Sequence, residues 1–294
     1  MIERMREALG LNDKAIGQIQ EVLDGSRFAG QGNPRVSKHP LFRSECWSRR
    51  RDVQDEQYAE CGAYNMVPID VETPSGTDAS ATASTLCIDR YEFPNVPCEY
   101  PLVWVRPREA AQLCEALGKR LCDAHEWEGA CAGQVKDARL EYDFGKRRMD
   151  VSYFHNRDRE LVWAYGGDRP QHQLCATGSA KSPKCVNGGY RVCGSNTYPA
   201  GSFVECRTPS GIYDLHGNVA EHMNYPQRAA ELGSKGGQGV TEMKGSWFVF
   251  AKLEAHADDC RWRAPAWHET RVDSPEGHYN YHLGFRCCKD VRAP

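Results

Sequence analysis

Fourteen cysteines in 294 residues constrain this chain more than any other feature. They stand at 46, 61, 87, 98, 114, 122, 131, 175, 185, 193, 206, 260, 287 and 288, an even number spread from the first sixth of the chain to its end. Such a pattern reads as a disulfide framework made in an oxidising compartment. Structural zinc sites draw on closely spaced ligand pairs, and no Cys-x-x-Cys occurs here. The expected location is therefore periplasmic or secreted. The opening run Met-Ile-Glu-Arg-Met-Arg-Glu has no apolar core of a signal peptide, so we expect that such a signal has been removed from the chain as given.

Other function classes are narrowed by charge and hydropathy. The formal charge is −3 with both signs interspersed, which argues against nucleic acid as a partner. No run of eighteen or more apolar residues exists, so no conventional membrane-spanning helix is expected.

Along the chain, residues 1–25 read as helical. Ile16, Ile19, Val22 and Leu23 share a face, Asn12 or Asp13 can cap, and Gly25 is a stop signal. From Phe28 to about Asp70 the pattern breaks into an irregular arm, and the polar residues 72–85 read as an exposed linker. We divide the chain into 1–85, a helix with irregular arm and linker, and 86–294, the main domain. The arm has too few apolar residues for its own core, so we expect it to pack on the main domain through Cys46 or Cys61. A helix is predicted from Pro107, with Ala110, Ala111, Cys114 and Leu117 on its apolar face and Gly118 after it. A second follows at once, with Asp123 as cap and Glu126 completing a capping box. Between 135 and 285 neither helical nor strand period persists.

Four segments then carry a family resemblance, in order: 108–131 (Arg-Glu-Ala-Ala-Gln-Leu-Cys through Glu-Trp-Glu-Gly-Ala-Cys), 211–222 (Gly-Ile-Tyr-Asp-Leu-His-Gly-Asn-Val-Ala-Glu-His), 244–247 (Lys-Gly-Ser-Trp) and 283–288 (Leu-Gly-Phe-Arg-Cys-Cys). Together they resemble the formylglycine-generating-enzyme, or sulfatase-modifying-factor, family over about 86–290. The resemblance implies an α+β fold, a large, irregular, loop-rich and disulfide-bonded variant of the C-type-lectin fold. It implies pairing of Cys114 with Cys287 and of Cys131 with Cys260. It also implies a structural calcium ion on Asp214, Gly217, Val219 and Glu221, two carboxylates and two backbone carbonyls of the hard-oxygen kind that calcium prefers. At the family's second calcium segment the nearest stretch is Gly188-Gly189-Tyr190, which lacks the acid.

Where the family places three cysteines after the Lys-Gly-Ser-Trp element, this chain has only Cys260. Two-thiolate copper ligation has no pair to form on, so formylglycine formation is not expected. A polar cluster stands there instead: Glu254, His256, Asp258, Asp259, Arg261, Arg263 and His268. We expect Ser246, Trp247, Glu254, His256 and Arg263 to surround a substrate, with His256 beside carboxylates as an acid/base or a metal ligand. A set of solvated loop charges around one buried arginine is the plainer alternative. Residues 1–85 hold a single histidine, His39, so the several-histidine iron site of ergothioneine-type relatives has no place here.

The chain is nearest in character to the pyoverdine-maturation branch, which is extracytoplasmic and lacks the copper cysteines. The expected function is an extracytoplasmic oxidoreductase or maturation enzyme acting on a peptide-derived or small-molecule substrate. The alternative is a non-catalytic lectin-like binding module, since fold alone does not imply catalysis.

Overall fold

The computed structural model describes residues 1–33, 37–69, 71, 85–136, 138, 161–182, 189, 192–234, 239–264 and 268–291. Of the expected linker at 72–85, residues 72–84 lie outside them, as do Gly188 and Tyr190, while Thr85 opens a strand.

The N-terminal helical run is two helices. α1 (Ile2–Leu9) ends at Gly10, whose φ of 62° is the left-handed cap that glycine adopts without steric penalty. α2 (Asp13–Gly25) starts on Asn12, whose side chain accepts the Ala15 amide at 2.9 Å. Ile16, Ile19 and Leu23 face inward, and Ile19 and Leu23 join Phe93, Leu113 and Phe285 in one cluster. The stretch that follows is not wholly irregular, since α3 (Arg43–Arg49) forms within it.

Two further helices lie close together in sequence. α4 (Pro107–Ala116) has proline at its first position and Glu109 accepting the Arg106 amide at 2.8 Å. α5 (Ala124–Ala132) has the Asp123–Glu126 capping box, with Glu126 accepting the Asp123 amide at 2.8 Å. Every residue of α5 is buried, so its sequence shows little amphipathic contrast.

Strands Met66–Ile69 (β2), Thr85–Asp89 (β3), Cys287–Val291 (β10) and Arg120–Leu121 (β5) form an antiparallel sheet in the order β2-β3-β10-β5. β2 comes from the segment assigned to the arm and pairs along its length with β3 of the main domain. Cys46–Cys98 and Cys61–Cys87 cross the same boundary. A second sheet has the order β8 (Thr270–Arg271), β7 (Val240–Lys244), β6 (Ala220–Tyr225), β9 (Leu283–Phe285). β6 runs antiparallel to β7 and parallel to β9. Five of its six residues are buried, so no in–out alternation marks it in the sequence. A two-stranded pair joins β1 (Gly30–Gln31) to β4 (Leu102–Val103).

Six disulfides are formed among the described residues: the two above, Cys114–Cys287, Cys122–Cys288, Cys131–Cys260 and Cys175–Cys206. Those from Cys114, Cys122 and Cys131 close loops of 173, 166 and 129 residues, pinning α4, β5 and α5 to the C-terminal third. Such closures contribute about 2–5 kcal/mol each in small secreted domains. No helix among the described residues is long and apolar enough to cross a membrane.

Candidate active site

β7 ends at Lys244, and the chain turns at Gly245 with φ +72°, where a Cβ would stand 2.7 Å from the Leu215 carbonyl. That turn delivers Ser246 and Trp247 into the interior. A short 3-10 turn at Phe250–Lys252 follows, and the loop then runs to Cys260, fastened to α5 by its bond to Cys131. The Cys260 amide donates to the Val162 carbonyl at 2.8 Å, which draws the segment carrying Trp163, Tyr165 and His172 against the loop.

Asp258 is the centre of this arrangement. It is 3% exposed and offers Oδ2 to the Ser246 hydroxyl at 2.8 Å and Oδ1 to His172 Nε2 at 3.1 Å. Trp163 Nε1 donates to the same Oδ1 at 3.4 Å, and His216 Nδ1 lies 3.8 Å from Oδ2. Burial by itself would raise the Asp258 carboxyl, but His172, His216 and Ser246 outweigh it and hold Asp258 far below the usual carboxylate range. The Asp258 hydrogen bond raises His172 above its ordinary value, against the opposing effect of burial. His216 is fully buried; its Nε2 accepts the Ala164 amide at 2.9 Å, which leaves the ring proton on Nδ1, the side nearest Asp258. Ser246 also accepts the Gly217 amide at 2.9 Å, so its hydroxyl joins Asp258 to the 214–221 turn.

An aromatic wall adjoins this pair. His172 meets the Phe250 ring edge-on at 5.2 Å, and Phe250 also contacts Trp247 at 5.3 Å and His256 at 5.2 Å. His256 stacks on Trp262 with centroids 3.7 Å apart, and His282 stacks on Trp247 at 4.5 Å.

The expected site residues therefore divide. Ser246, Trp247 and His256 are brought together around Asp258 and the aromatic wall, the first two buried. Glu254 is exposed, close enough to His172 for its charge to favour the imidazolium. Arg263 is committed elsewhere, with Nε 3.2 Å from Glu128 and Nη1 3.2 Å from Glu242. Lys244 bonds Glu128 as well and lies 3.1 Å from Glu242, so these four charges form a buried ionic cluster. His172 and His216 are site residues that sequence reasoning missed. His216 sits inside one of the four recognised segments, whereas His172 lies where no local period marks structure.

On the far side of Gly217 lies the segment expected to hold calcium. Gly217 has φ +81°, and a Cβ there would stand 2.9 Å from the Ala176 carbonyl. Glu92, Asp214 and Glu221 are all buried around Arg286, which bonds both oxygens of Glu221 at 2.6–2.9 Å. Trp127 Nε1 donates to Glu221 at 2.9 Å. Burial, with contributions from neighbouring carboxylates, raises Asp214 to about 6 and Glu92 well above the ordinary range. Asp214 Oδ2 accepts the Gly201 amide, but its Oδ1 is buried with no hydrogen-bond partner. Three carboxylates against one guanidinium, with one oxygen unpaired, fit a cation. Asp214, Glu221 and the carbonyls of Gly217 and Val219 would hold calcium there, where it would supply structural charge compensation.

A family model described as a sulfatase-modifying factor enzyme 1-like domain matches residues 49–291. A solved structure titled "Crystal Structure of CarF" is similar at 13% sequence identity and a TM-score of 0.44, covering 78% of this chain and 98% of that chain.

Proposed function

The chain belongs to the sulfatase-modifying factor enzyme 1-like family, and from that premise we propose that it is an extracytoplasmic maturation enzyme that works by acid–base chemistry, not by cysteine-bound copper. The observation that carries this reading is the pairing of His172 with Asp258 at 3.1 Å, beside an aromatic wall. An imidazole oriented by a buried carboxylate takes and returns a proton near neutral pH. His172 is 14% exposed at its side chain, enough to reach a substrate, while Asp258 is 3% exposed and orients it.

Copper–thiolate chemistry lacks its ligands among the described residues: Cys260 is bonded to Cys131, and no described cysteine is free. An oxidoreductase role, as in the pyoverdine-maturation branch, would take its electron acceptor from outside these residues, which supply the proton transfers of such a reaction. The substrate we propose is peptide-derived or a small molecule, bound against His172 and His256, the half-buried edge of the aromatic wall. Calcium on Asp214, Gly217, Val219 and Glu221 is proposed as structural only. The disulfide framework supports a periplasmic or secreted location.

The test is a metabolite comparison in the source organism. Deletion should accumulate a precursor that the wild-type gene clears and His172→Gln or Asp258→Asn does not. Clearance by both variants as efficient as by wild type would refute the acid–base assignment. It would favour instead a non-catalytic lectin-like module presenting the same aromatic surface.

A further inference from the structure

Besides His216 Nδ1, which faces Asp258 at 3.8 Å, three ring nitrogens near the His172–Asp258 pair are buried without any hydrogen-bond partner: Trp247 Nε1, His256 Nε2 and His282 Nδ1. Their rings are contiguous, since Trp247 stacks on His282 at 4.5 Å and meets His256 at 5.3 Å. One unpaired buried polar atom is unfavourable by about 1–3 kcal/mol, and native interiors hold few of them. Three on neighbouring rings point to a partner that arrives with a ligand.

We propose that these nitrogens form a polar subsite for a neutral group that both donates and accepts hydrogen bonds, a carboxamide or hydroxyl of the substrate, and that the subsite discriminates against carboxylates. The inference deepens the proposed function and rests on it for the identity of the surface as a substrate site.

The polarity follows from which nitrogens carry protons. Trp247 Nε1 is a donor only. His256 Nδ1 is paired with the Ala257 carbonyl, which accepts and so requires the proton on Nδ1. Nε2 of His256 is then a bare lone pair, an acceptor. Burial lowers His256 below its ordinary value, and lowers His282 to about 3 with further help from the surrounding histidines, so both rings are neutral at physiological pH. A neutral His282 presents either a donor or an acceptor at Nδ1 according to its tautomer. The surface thus offers one fixed donor, one fixed acceptor and one adaptable nitrogen. A carboxamide or hydroxyl satisfies the fixed pair. A carboxylate has no proton for the His256 lone pair and leaves it unpaired.

Benzamide and benzoate test this, because they share a ring and differ in whether the polar group donates. Binding to the full chain is followed by saturation-transfer NMR at millimolar concentrations. Benzamide should saturate, and benzoate should bind at least about tenfold more weakly, the equivalent of one hydrogen bond. Trp247→Phe keeps an aromatic ring but removes the N–H together with part of the indole, so it should weaken benzamide by at least a similar factor. Equal binding of benzoate, or a Trp247→Phe variant that binds benzamide like wild type, overturns the assignment. So does a failure of both probes to bind, which would leave ordered water as the partner of these nitrogens. His172→Gln should retain benzamide binding. Retained binding with full precursor clearance by that variant would defeat the acid–base reading while leaving the subsite intact.

Discussion

Asp258 holds His172 from inside: the carboxylate is almost wholly buried, the imidazole reaches the surface, and Oδ1 and Nε2 are 3.1 Å apart. The other carboxylate oxygen receives Ser246, which accepts in turn from the Gly217 amide. A surface acid–base group is thereby tied to the turn that carries Asp214 and Glu221.

Stability should depend on pH through this pair in a defined direction. His172 gains a carboxylate partner on folding, so its folded pKa lies above the unfolded one. Its contribution is fully present below the unfolded value, about 6.5, and is lost as pH rises through the folded value. Asp258 is depressed, so its contribution is present above its unfolded value, about 3.9, and is lost as pH falls through the folded one. The stability difference between wild type and His172→Gln should therefore be greatest at about pH 5 and diminish toward pH 8. Urea denaturation across that range measures it, and a flat difference would contradict the pairing. Proton NMR should also show His172 titrating lower in Asp258→Asn.

Ser246 tests whether the hydroxyl is a nucleophile or a strut. Its proton goes to Asp258 and its lone pair to the Gly217 amide, leaving it poorly placed to attack a substrate. Ser246→Ala should destabilise the fold by about 1–3 kcal/mol, because a buried N–H loses its acceptor. Precursor clearance per folded molecule should persist at a reduced rate. Complete loss of clearance in a stable Ser246→Ala protein would instead make the hydroxyl catalytic.

How much of this was legible in the sequence depended on distance along the chain. The helix caps are three-residue relationships: of the two candidates Asn12 and Asp13 the first caps, and the Asp123–Glu126 box forms as read. The fold itself followed from four ordered motifs. His172 and Asp258, in contrast, meet across 86 residues, and no periodicity records such a contact. The burial of Arg263 was illegible for a related reason: its partners Glu128 and Glu242 come from a helix and a strand remote from its loop. A cluster of charges in sequence did not reveal which of them would be neutralised in the core.

Arg263 should behave as a structural residue. Removing it by Arg263→Met leaves Glu128 and Glu242 with less positive charge in a buried setting, a loss of about 3–5 kcal/mol. Thermal denaturation should register that loss, and Arg263→Lys should recover part of it. Full thermal stability in Arg263→Met, combined with lost precursor clearance, would return the residue to the catalytic set.

Calcium gives the last expectation. Asp214 Oδ1 is buried without a partner, and Glu92, Asp214 and Glu221 together outnumber the charge of Arg286. A divalent cation that binds the folded chain and not the unfolded one stabilises by about 2.7 kcal/mol at a hundredfold excess over its dissociation constant. Stripping the protein with a chelator and restoring calcium should raise the melting temperature. Magnesium should do less, because it demands a regular octahedron that a turn supplying two backbone carbonyls does not easily provide. Asp214→Asn keeps an oxygen but removes a charge, and should weaken the response without unfolding the protein. If chelation and calcium leave the melting temperature unchanged, the three carboxylates are offset by Arg286 and a bound proton alone, and Glu92 is a carboxylic acid in the native state.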